Sequence, residues 1–204
     1  MTSWSNEDEI HTPIIQRGNG IAYRDPVWDH HARDGSLVLW RQQKLAQGKG
    51  KPVWMGIHFA RLRRAMDRLL CQVCAQPAED TERGTLFLTG NTPRGPIKDR
   101  ELTTHPPVCL PCAAESVAKC PHLLRGFVAA RVAEVRPWGV GGTRYVPGLL
   151  SSRPMPLPEP ERMSYDDDRI GWMHASHPFV ELLGCRPVDL TEELLEADLL
   201  QGAL

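Results

Sequence analysis

The chain has 204 residues, with 24 Lys and Arg against 25 Asp and Glu, 18 prolines, 17 glycines and 6% aromatic residues. That length could bury one ordinary core or two small ones, but the prolines, glycines and few aromatics argue for less, a compact middle with loosely organised ends, and the lack of any long apolar run excludes a membrane-spanning helix. The formal charge of −1 conceals opposing poles: residues 1–40 carry −3, 41–70 carry +7, 71–158 carry +3 and 159–204 carry −8. Such a chain can attract a polyanion at its middle or fold its acidic tail onto its own basic segment.

Residues 1–52 read as an extension with short strands. Met1-Thr2-Ser3-Trp4 has neither the basic start nor the apolar stretch of an export signal, so a cytoplasmic protein is expected. Ile21–Tyr23 and Ser36–Trp40 suit strands separated by the turn-prone Asp34-Gly35. Trp28-Asp29-His30-His31 invites a catalytic or metal reading, but adjacent histidines diverge on any regular element, and an exposed loop is expected. Gln47 to Pro52 breaks regular structure.

Residues 53–150 form the expected core. From Ile57 to Leu70, apolar residues at helical spacing leave Arg61, Arg64 and Arg68 on another face. Those arginines are either a solvated face or phosphate contacts, since clustered Arg marks nucleic-acid binding. His58, in the same turn, reads as structural. The helix leads into Cys71-Gln72-Val73-Cys74, and after 34 intervening residues comes Cys109-Leu110-Pro111-Cys112. Two Cys-x-x-Cys pairs, each offering two thiolates from a tight turn, form a tetrahedral Zn2+ site of Cys71, Cys74, Cys109 and Cys112. Disulfides are the rival reading, disfavoured by the spacing in a reducing compartment.

Between the pairs, Gly84–Thr89 suits a strand, Gly90 to Pro96 a loop, and Thr103 to Pro107 an extended lead into the second pair. A helix is expected from Pro111 to about Lys119, with Pro in its first turn; thiolates there are stabilised by free N–H groups and the dipole. Cys120 would lie about 12 Å from Cys112 along a continuous helix, too far for one ion. Cys120 and His122 are therefore read as packing and helix-end residues, with a second site or a broken helix, which His105 could join, as the alternative. Phe127–Val135 and Thr143–Val146 read as a hairpin turning at Trp138–Gly142. Those glycines lack the Lys-Ser/Thr of a phosphate loop.

Residues 151–204 comprise a proline-rich linker and an acidic tail. Arg153 to Pro160 alternates proline and favours a stiff extended segment. His174 and His177 are expected in a partly buried loop, and Cys185 as a plain thiol. Asp189-Leu190-Thr191-Glu192 starts an amphipathic helix whose leucines, Leu190 to Leu199, dock on their own domain or on a protein partner.

At Arg64-Ala65-Met66 through Cys74, and from Thr103 through Cys112 to Cys120-Pro121-His122-Leu123, the chain resembles small cysteine-rich proteins of Streptomyces and related actinobacteria, over roughly residues 50–150. The resemblance implies a bacterial cytosolic setting and no reaction. A looser similarity is to HNH nucleases, some of which carry two Cys-x-x-Cys pairs in a treble-clef frame. Their chemistry needs a His to activate water and further groups to hold a catalytic cation. Here His105 precedes the second pair, no Asp-His pair lies between the pairs, His122 follows a proline and Asn91 is the one Asn in the interval.

The expected fold class is α+β: a small zinc-stabilised core, treble-clef-like or a zinc ribbon, with short antiparallel strands, a few helices and irregular ends. The expected function is a zinc-stabilised, non-catalytic binding module that contacts nucleic acid through Arg61, Arg64 and Arg68, with a regulatory role for the acidic tail, which modulates that contact or binds another protein. A protein-only adaptor is the alternative, and an HNH-like nuclease a further one.

Overall fold

The computed structural model describes residues 1–33, 37–80, 82–90, 95–148 and 153–197, the side chain of Met55 excepted. In chain order the elements are β1 (Thr2–Trp4), β2 (Ile14–Gln16), β3 (Ile21–Tyr23), α1 (Pro26–Arg33), β4 (Leu39–Trp40), β5 (Pro52–Ile57), α2 (Phe59–Asp67), β6 (Thr85–Gly90), β7 (Leu102–Thr103), α3 (Leu110–Lys119), β8 (Phe127–Val146), β9 (Met155–Ser164), β10 (Met173–Pro187) and α4 (Leu190–Glu196). Short 3-10 turns lie at Leu123–Arg125 and Ile170–Trp172. The fold is α+β, and the chain divides into two units: Met1–Arg63 with Trp138–Phe179, and Arg64–Pro137 with Val180–Leu204. The long strands β8 and β10 each contribute one half to either unit.

In the first unit β1 pairs antiparallel with β5, β2 with β3, and β8 with β9, while β10 runs parallel to β4 at His174↔Leu39 and Ala175↔Trp40. One core cluster joins Ile21, Tyr23, Ala32, Leu39 and Trp172; another joins Val38, Trp40, Val140, Met163, Ile170, Met173 and Ala175. His30 and His31 sit on helix α1 rather than in the loop expected of them, and both are exposed. The helix forms because the Asp25 carboxylate accepts from the Val27 N–H at 2.9 Å, Pro26 occupies the first turn, and Arg33 returns to Asp29 one turn earlier. Strand β5, unforeseen in the sequence, begins where the glycine-rich segment was expected only to break structure. The turn-prone Asp34-Gly35, Ser36 of the expected strand, Asn91, and Asp198 and Leu199 lie outside the described residues.

The expected hairpin at 127–146 is instead a single 20-residue strand, β8. Gly139, Gly141 and Gly142 do not turn the chain. A Cβ on Gly139 would run into the Met163 carbonyl, and one on Gly142 into the carbonyl of His174. These glycines allow close backbone approach inside a strand. The proline-rich segment is extended as expected, but it is paired: β9 lies antiparallel to β8, with Pro160 opposite Thr143 and Pro156 opposite Tyr145. His174 and His177 sit on β10 rather than in a loop, His174 buried.

In the second unit β6 pairs antiparallel with β8 from Thr85↔Val132 to Gly90↔Phe127, and β7 pairs with β10 at Val180↔Thr103. Its core gathers Cys71, Ala78, Leu86, Leu88, Val108, Ala113, Ala129, Leu190 and Leu194. Asp189 caps α4, accepting from Thr191 N at 2.8 Å, and the helix buries Leu190 and Leu194 in that core. Glu193 is clamped by Arg131, whose Nη2 lies 2.7 Å from Oε2. The acidic helix thus docks on its own unit.

Candidate metal centre

Local backbone geometry builds the first half of the site. The Ala75 N–H donates to the Cys71 carbonyl at 2.9 Å, closing the turn, and the Cys71 N–H donates to the Gln76 carbonyl at 2.8 Å. Leu69 and Ala75 adopt left-handed backbone at φ 46° and 58°, a conformation costing about 1 kcal/mol for residues with a Cβ, so the surrounding contacts must hold the turn. Inside it, the Val73 N–H points at the Cys71 sulfur, 3.4 Å away.

The second half is delivered by β6 and α3. The Val108 N–H donates to the Leu86 carbonyl at 2.9 Å, and the Gln72 N–H donates to the Pro107 carbonyl at 2.9 Å, tying the second pair to the first. Cys109 is the N-cap of α3 and Pro111 lies in the first turn. With no side chain capping this end, the free N–H groups and the dipole face the sulfurs, as an anion requires.

The four sulfurs of Cys71, Cys74, Cys109 and Cys112 lie within 4.8 Å of one another, and no other group of this kind occurs among the described residues. The Cys74 and Cys109 sulfurs are 3.7 Å apart. Four thiolates placed tetrahedrally at 2.3 Å from one ion would be about 3.8 Å apart, whereas a disulfide needs about 2.05 Å. All six cysteines are free thiols. The donor set therefore fits a thiophilic cation, and these residues form a possible metal-binding site.

The electrostatics of the group agree with that chemistry. Burial pushes the Cys71 thiol up, but backbone N–H groups of Cys109, Cys74 and Val73 outweigh it and bring it down to about 7. Burial raises Cys109, and burial together with the neighbouring sulfurs raises Cys112. Four sulfurs this close cannot all carry charge unless a cation compensates them.

Cys120 caps the C-terminus of α3 and His122 is exposed; neither joins the group. His105 is also outside it, exposed, with its N–H on the Thr103 hydroxyl. Of the arginines expected to meet phosphate, Arg64 and Arg68 are exposed. Arg61 donates to both carboxylate oxygens of buried Glu7, Nη1 to Oε1 at 2.8 Å, and to the Thr2 carbonyl at 2.7 Å. Sequence reasoning missed the Gln76, Leu86 and Pro107 carbonyls that hold the two pairs in place, since main-chain acceptors leave no residue-type signal. Comparison with protein-family models, with curated proteins and with solved structures finds no match to this chain.

Proposed function

We propose that the chain is a zinc-stabilised, non-catalytic binding module, with the zinc held by Cys71, Cys74, Cys109 and Cys112. The observation that carries this reading is the convergence of the four sulfurs within 4.8 Å. Zinc is the metal of choice because four thiolates are a structural zinc set, and a closed shell of four leaves no position for water or substrate. The order of parts, a Cys-x-x-Cys turn, strand β6 and a helix whose first turn supplies the last ligands, supports a treble-clef-like frame.

The partner proposed for the basic segment is nucleic acid, and its support now consists of Arg64 and Arg68. Arg61 is spent on Glu7 and Thr2 and belongs to the fold. Binding of a labelled duplex or single strand should weaken as salt rises and be lost in the Arg64→Ala, Arg68→Ala double variant. Binding indifferent to both would remove nucleic acid as the partner and leave the protein-adaptor reading. The zinc assignment has its own test: Cys71→Ser and Cys112→Ser should each abolish stoichiometric zinc and unfold the second unit. Retention of a native circular-dichroism spectrum without zinc would refute it.

A further inference from the structure

A cleft of about 750 Å³ opens in the first unit, lined by sixteen residues drawn from the chain between Glu9 and Arg41 and between Thr143 and His174. Its volume is that of a small-molecule site. At its base the Tyr23 hydroxyl lies 2.8 Å from Nε2 of His174 and 3.2 Å from the Trp40 carbonyl, to which it donates. Tyr23 is 1% exposed and His174 9%. The Tyr145 ring meets the His174 ring edge-on, with centroids 6.3 Å apart. The base is therefore rigid, aromatic and already hydrogen-bonded internally.

Charge is distributed around that base with a clear sign. Arg24, Arg41 and Arg153 line the cleft against a single carboxylate, Glu9. Arg41 Nε donates to Glu9 Oε1 at 2.7 Å, and the Arg41 guanidinium also lies over the Phe59 ring, 5.5 Å from its centroid. Those two contacts orient the group, and the ion pair engages its Nε. Arg24 is exposed at this cleft. The excess of guanidinium over carboxylate favours an anion, and the planar fork matches carboxylate and phosphate alike. Ile10, Pro13 and Ile14 add apolar wall, which a bare inorganic ion would not use. A metal is disfavoured, because the histidines and Glu9 of this cleft do not converge into a ligand group.

We propose that this cleft binds a small organic anion, a carboxylate or a phosphate monoester on an aromatic or similarly flat body. The charge is met by Arg24 and Arg41, and the body lies against Tyr145, His174 and the apolar wall. The Tyr23 hydroxyl is committed to His174 and Trp40 and holds the imidazole in place. This site is independent of the zinc assignment, since all of its residues belong to the first unit.

The test is titration calorimetry on the full chain with three probes of one shape: phenyl phosphate, benzoate and neutral benzyl alcohol. At least one anion should bind saturably at one site per chain, with benzyl alcohol about tenfold weaker or worse. Saturation by phenyl phosphate alone assigns phosphate esters, by benzoate alone carboxylates, and by both the shared anion chemistry. Arg24→Ala removes an exposed side chain and should weaken the binding anion about tenfold while leaving the circular-dichroism spectrum unchanged. Arg41→Met should do the same through the second guanidinium. The proposal is overturned if neither anion binds, if benzyl alcohol binds equally well, or if both variants, folded, keep the affinity of the parent chain.

Discussion

Glu7 is the residue whose environment is most exacting. Its side chain is buried, and its carboxylate accepts from Arg61, from the Trp4 N–H at 2.9 Å and from the Ala46 N–H at 3.0 Å. The Arg61 hydrogen bond, with help from those N–H groups and against burial, pulls the carboxyl down to about 2. Removing the guanidinium strands a charge out of water, so Arg61→Ala should cost about 3 kcal/mol. Urea denaturation measures it; a loss below about 0.5 kcal/mol, the size of a surface effect, would contradict the pairing. The sequence could not reveal this. Helical spacing correctly separates Arg61 from Leu62, Ala65 and Met66, but a partner 54 residues away leaves no trace in local periodicity. The four cysteines were legible for the opposite reason: each pair is a local motif, and metal geometry dictates its spacing.

At the scale of elements, local signals survived and non-local ones did not. Helix α4 was readable because its cap, Asp189, lies two residues before the N–H it satisfies at Thr191, and α3 because Pro111 and the alanines after it are local choices. From the sequence, strand β8 reads as a hairpin because Gly139 and Gly142 look like turn residues in isolation. Their purpose, room for the backbone at Met163 and His174, depends on strands 24 and 32 residues further along. Gly142→Ala should therefore destabilise by about 2 kcal/mol through overpacking. An unchanged melting temperature would mean that the neighbouring strand yields, against the reading of these glycines. The same reasoning explains β9, whose prolines predicted extension but not a partner. In α4, Leu194 is 2% exposed within the second unit's core, and Leu194→Ala should cost about 3 kcal/mol by leaving a cavity. A near-neutral result there would mean that the helix is free to serve a partner instead.

For the molecule as a whole, acid is the condition that should unfold it. Burial, followed by the nearby Arg41 charge, pulls His174 from 6.5 to about 3. The unfolded chain therefore binds a proton at higher pH than the folded one does. That contribution to stability is complete above pH 6.5 and declines as pH falls toward 3. Glu7, lowered from 4.5 to about 2, adds a second loss that begins below about pH 4.5. Both residues lie in the first unit, and its unfolding midpoint in urea should fall steadily from pH 7 to pH 4, earlier than carboxylates alone would produce. His174→Gln should reduce the slope between pH 6.5 and 4.5, the remainder coming from His58 and His177, which burial also lowers; a pH profile unaltered by that substitution would show that His174 is not a titrating group. The overall fold class was legible from alternating short strands and two amphipathic helices. The division of β8 and β10 between two units was not, because it depends on which distant segments each strand half meets. No helix among the described residues is long and apolar enough to cross a membrane.

A metal ion held by four thiolates is expected to organise the second unit. Native mass spectrometry of the intact chain, before and after a strong chelator, tests it most directly when paired with the circular-dichroism spectrum of each sample. One zinc ion per chain is expected, lost on chelation together with the structure around Cys71, Cys74, Cys109 and Cys112. A chain that carries no metal when purified in zinc-containing buffer, yet keeps the same folded spectrum, would contradict it.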